Sequence, residues 1–125
     1  MLEKASGVSS LRKVDMEELL SRVDNDLELL RDLVAIFKQD FPRHLGTLRQ
    51  GVAARDLKQV KIVSHTMKGM LLNLAVPRAA NAAACLEQLA GSGDVDSLGQ
   101  ATAEFEREVD GLLSEMEARM EEVRS

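Results

Sequence analysis

The stretch SHTMKGMLLNLAV, residues 64–76, holds the side chains best suited to chemistry. It carries an imidazole at His65, an ammonium three residues on at Lys68, and a glycine at Gly69. A free imidazole titrates near about pH 6.5, so at neutral pH it is largely an uncharged nucleophile. Such a ring can take a phosphoryl group from an acyl phosphate and pass it on. That transfer needs in-line placement and charge neutralisation more than covalent machinery. A lysine at i+3 is placed to neutralise part of the charge. Glycine inside a helix costs roughly 1 kcal/mol relative to alanine. Bare backbone that a partner can approach closely would offset that cost.

These residues must be held by a helix spanning about Asp56 to Ala75. On a wheel at ~100° per residue, Val60, Val63, Met67, Met70, Leu71 and Leu74 fall on the side opposite His65. That side is the core face, so His65 is expected to project outward. Lys58, Lys61, Ile62, Lys68, Gly69 and Leu72 share the outward side. Ile62 and Leu72 would frame the imidazole as a small apolar docking ring, and Lys58 and Lys61 would steer an anionic partner toward it.

Other helices must position this one. A short helix is expected near residues 15–22, capped by Asp15. Asn25 and Glu28 have the form of a capping box. From there Leu27, Leu30, Val34, Phe37, Phe41, Leu45, Leu48 and Val52 trace a continuous apolar stripe that passes Pro42. Pro77 suits the first turn of a helix through PRAANAAACLEQLA, which Gly91 and Gly93 should end. Asp94 or Asp96 is expected to cap a last helix with the stripe Leu98, Ala101, Phe105, Val109, Leu112, Met116, Met120 and Val123. The fold class is therefore all-α, an antiparallel four-helix bundle with a short additional N-terminal helix.

Composition agrees. The chain has 125 residues, with three Phe, no Tyr or Trp, and two Pro. Good helix formers dominate and β-formers are sparse. One domain is expected over residues 13–125, preceded by a flexible tail or linker at 1–12. A single cysteine, Cys85, excludes an internal disulfide and is expected to pack as a small hydrophobe. Two histidines without a ligand cluster give no metal-site spacing, and His44 is assigned no chemistry. The net charge of -5 argues against general nucleic-acid binding. Yet Arg55, Lys58, Lys61, Lys68 and Arg78 face a single acid between residues 55 and 78, a local basic patch suited to a small anionic target. No apolar run approaches the ~20 residues that span a bilayer, and no secretory signal opens the sequence. A cytoplasmic setting without membrane contact is the expectation.

HTMKGMLLNLAVPRAANAAACLEQL resembles the signature of histidine-containing phosphotransfer (HPt) domains. The matching positions are His65, Lys68 and Gly69, then Asn73 and Leu74, then Leu86, Glu87 and Leu89. The resemblance extends over roughly residues 14–115. It implies phosphorylation of His65 at Nε2, with Lys68 stabilising the phosphoryl group and Gly69 admitting the partner. It implies response-regulator receiver domains or a hybrid sensor histidine kinase as partners, no cofactor in this chain, and Mg2+ on the receiver. It also implies no kinase activity of the chain's own. Two alternatives stay open: the phosphotransfer domain of a chemotaxis-type kinase, and a receiver-binding helical module without chemistry. The chain departs from the family pattern at Met70, where a small residue is common, and at Ala75, where glycine is.

Overall fold

The computed structural model describes residues 15–124. The expected tail at 1–12 and the side chain of Val123 lie outside the described set. Six helices form among the described residues: α1 (Met16–Arg22), α2 (Leu27–Ala54), α3 (Leu57–Asn73), α4 (Pro77–Ser92), α5 (Leu98–Val109) and α6 (Leu112–Arg124). No strand occurs among the described residues.

Aspartate starts the first three. Asp15, Asp26 and Asp56 each accept a hydrogen bond from the backbone N–H three residues on, all at 3.1 Å. Each satisfies one of the amides that a helix start leaves unpaired. The cap of α2 is thus Asp26, and the expected Asn25–Glu28 box does not form. Asn25 instead sits at φ 59 in the turn before it, a region that asparagine tolerates. Pro42 lies inside α2, and the helix continues through Ala54. Pro77 occupies the first turn of α4, and Gly93 closes that helix at φ 82.

α3 packs most extensively on α4, with α2 flanking α3 and α5 flanking α4. The ring closes where α5 and α6 meet α2. Arg49 bonds Glu106 at 3.1 Å through both arms, Phe41 stacks obliquely on Phe105, and Lys38 bonds Glu117. The last helix is not continuous, as the unbroken stripe suggests it should be. Asp110 is extended and Gly111 takes φ 74, which splits it into α5 and α6. An Asp-Gly pair favours such a turn, and glycine enters this region without the penalty of a Cβ. The stripe survives because both halves keep the same side inward: Leu98, Ala101, Phe105, Leu112, Met116 and Met120 are all buried. Neither expected acid caps α5. Ser97 holds the cap position, while Asp94 accepts bonds from the Ser97 amide and hydroxyl in the preceding turn.

α1 seals the end of the bundle near the α3–α4 turn. The Asp15 amide donates to the Ala75 carbonyl at 3.1 Å, and Arg22 donates to the Leu72 carbonyl at the end of α3. Met16 and Leu19 bury beneath it, each contributing about 1.5–3 kcal/mol. Ala75 adopts φ 57, a left-handed region that glycine, the residue the resemblance leads one to expect here, enters without a Cβ penalty.

Candidate functional site

The expected core face of α3 is inward. Val60, Met67 and Leu71 are completely buried, Val63 and Leu74 nearly so, and Met70 is partly buried against the core. Ser64, beside the histidine, is fully buried as well. The next residue marks a sharp boundary: the His65 side chain is 68% exposed. Ile62 and Leu72 are large apolar residues left in solvent, at 58% and 47% exposure. Lys58 and Lys61 are exposed, and Lys68 is half-buried. A Cβ built on Gly69 would meet nothing within 4 Å, so no contact inside the described fold requires glycine there.

The second half of the site comes from α4. Ala79, Ala80, Ala83 and Ala90 line its buried side together with Leu86. These short side chains let α3 and α4 approach closely, which brings Glu87 within reach of α3. Its Oε1 accepts from Lys68 Nζ at 2.8 Å, and its Oε2 lies 2.9 Å from His65 Nδ1. One carboxylate therefore engages both the imidazole and the ammonium. The hydrogen bond from Lys68, chiefly, holds the Glu87 carboxyl below the usual carboxylate range; partial burial opposes this, and the His65 contact adds to it.

An ionised carboxylate only accepts hydrogen bonds, so Nδ1 carries the proton. In the neutral ring the lone pair then sits on Nε2. Glu87 is a site residue that the wheel of α3 does not reveal, because it belongs to another helix. Its signal in the sequence is isolation: it is the sole acid between Pro77 and Ser92.

Not every expected member of the site stands free. The aliphatic end and Nζ of Lys61 pass within 3.9 Å of where a Gly91 Cβ would be, so this lysine leans across the last turn of α4. Its charge favours the negative end of that helix. Cys85 is exposed, contrary to its expected packing, because the adjacent Leu86 takes the inward position. On the α2 side of α3, Leu33, Ile36, Phe37, Met70, Asn73 and Leu74 line a shallow recess of about 120 Å³. Ile36 and Leu29 are exposed at 55% and 44%.

A protein-family model described as the Hpt domain matches residues 32–124. The chain belongs to the Hpt domain family. Compared with curated proteins and with solved structures, it has no match. Hpt domains carry out phosphotransfer in two-component signalling, where they interact with response-regulator receiver domains and kinases. The match begins inside α2, so α1 of this Hpt domain lies outside it. Among the described residues, no helix is long and apolar enough to cross a membrane.

Proposed function

We propose that this Hpt domain is a phosphorelay intermediate that accepts a phosphoryl group on His65 Nε2 from a receiver aspartyl phosphate and returns it to the aspartate of another receiver. The observation that carries the reading is the bond between His65 Nδ1 and Glu87. It fixes the proton on one nitrogen and leaves the lone pair on the other, in a ring that is 68% exposed.

In the forward step the Nε2 lone pair attacks phosphorus in line. The P–N bond forms as the P–O bond to the aspartate breaks, and the aspartate leaves as a carboxylate. The ring becomes a cation whose Nδ1–H remains on Glu87. Lys68 balances charge on the phosphoryl oxygens, and the bare surface over Gly69 admits the receiver's active-site loops. Ile62 and Leu72 bury against the partner while Lys58 steers it. Mg2+ would sit on the receiver, since the Glu87 carboxylate beside His65 already accepts from the Lys68 ammonium and the imidazole Nδ1–H.

The test is incubation of the chain with radiolabelled phospho-receivers and Mg2+. Acid-labile, base-stable label on wild type and none on His65→Gln is the expected result. Equal labelling of the two would end the proposal. A panel of receivers in the same assay identifies the preferred donor and acceptor.

A further inference from the structure

Glu87 touches the ring at the nitrogen opposite the one assigned to phosphorus. This has a chemical consequence for the loaded state, granted the reading of His65 above. A ring phosphorylated at Nε2 exists in two forms. With Nδ1 deprotonated, breaking the P–N bond would expel an imidazolide anion, a poor leaving group. With Nδ1 protonated, the ring is a cation. The electron pair of the P–N bond then returns to Nε2, and a neutral imidazole departs with its Nδ1–H in place.

We propose that Glu87 is a positioning residue that sets the lifetime of the phosphohistidine, by holding the ring in the Nδ1-protonated form from which phosphorus passes to an aspartate carboxylate or to water. In either case one P–N bond breaks, one P–O bond forms, and no other reactant is needed. With water as the acceptor, its displaced proton goes to solvent.

The surroundings leave this role to Glu87. A carboxylate beside an imidazolium favours the charged form. On α3, Lys68 engages the other Glu87 oxygen, and Lys58 and Lys61 share the outward side. All three are cations that oppose a protonated ring. On α2, the residues lining the recesses beside α3 are Leu33, Ile36, Phe37 and Thr47, none of them charged. On α4, Glu87 is the sole acid. Its carboxyl is held below the usual range, so it is ionised at neutral pH.

The experiment needs no partner. The full chain is loaded with phosphoramidate as phosphoryl donor, and 31P NMR follows the phosphohistidine across the pH range in wild type, Glu87→Gln, Lys68→Met and His65→Gln. The phosphorylated ring of Glu87→Gln is expected to titrate lower than wild type, because the carboxylate that favours its charged form is gone. Its phosphoryl group should outlast that of wild type several-fold at neutral pH. Lys68→Met should move the titration the other way. A purely structural Glu87 would leave the ring titration where it is. Superimposable titrations and equal lifetimes in wild type and Glu87→Gln would overturn the inference. Signal absent from wild type, or retained in His65→Gln, would instead overturn the assignment of His65, so the two failures are told apart.

Discussion

Lys68 Nζ stands 2.8 Å from Glu87 Oε1, so the cation assigned to the phosphoryl group is already paired across the α3–α4 interface in the resting protein. On the proposed mechanism, phosphoryl binding would exchange one anionic partner for another, and Lys68 would not have to be ordered from a free state. Lys68→Ala removes a charge-assisted hydrogen bond worth about 1.5–3 kcal/mol. In transfer rate that is roughly a 10- to 100-fold loss. Stability should fall by under about 1 kcal/mol, because the pair is partly solvated. Single-turnover transfer from a phospho-receiver and a thermal melt measure the two quantities separately.

The same carboxylate makes stability depend on pH. The Glu87 carboxyl is depressed in the fold, chiefly by the Lys68 hydrogen bond. A group lowered on folding stabilises the protein above its unfolded value, here about 4.3, and loses that contribution as pH falls through the folded value. The melting-temperature gap between wild type and Glu87→Gln should therefore be constant at neutral pH and shrink below about pH 4. A gap that widens on acidification would contradict the sign.

The end of α2 predicts a gain. Arg55 caps it at φ 57 and is exposed. A side chain there costs about 1–2 kcal/mol, and glycine returns about half of that through its freer unfolded chain. Arg55→Gly should stabilise by about 0.5–1 kcal/mol, read as a rise of several degrees in melting temperature.

How far the sequence discloses the molecule depends on which distances matter. The rotation of α3 is local: a 3.6-residue period decides it, and His65 and Val60 fall on opposite sides as periodicity requires. The bond from Glu87 to His65 spans 22 residues and depends on how α4 is rotated against α3. The alanine face, which sets that approach, and the isolation of Glu87 as the sole acid of α4 are its hints. The break at Asp110 is a conflict between two local signals. The apolar stripe runs through it while the Asp-Gly pair argues for a turn, and the backbone follows the turn because both halves can still bury their stripe. The cap at Asp26 in place of Asn25 is a one-residue choice between two acceptable capping types.

Gly51 and Gly69 show a difference that no one-dimensional reading separates. Both lie inside helices, and for both an alanine would improve helix propensity by about 1 kcal/mol. At Gly69 the added methyl meets nothing within 4 Å. Gly69→Ala should therefore raise stability by about that amount, and a larger Gly69→Leu side chain should leave the fold intact while obstructing the receiver. At Gly51 the methyl would stand 3.0 Å from Val60 Cγ2 and 3.3 Å from Gln59 Cγ. Val60 is completely buried, and a β-branched residue in a helix has essentially one rotamer, so it cannot swing aside. Overpacking of this kind costs about 1–3 kcal/mol, which outweighs the gain in propensity. Gly51→Ala should lower stability by about 1 kcal/mol and leave transfer by the folded protein near wild type. Denaturant melts of the two variants should shift in opposite directions. Normal transfer by Gly69→Leu would remove close approach as the reason for a glycine beside His65.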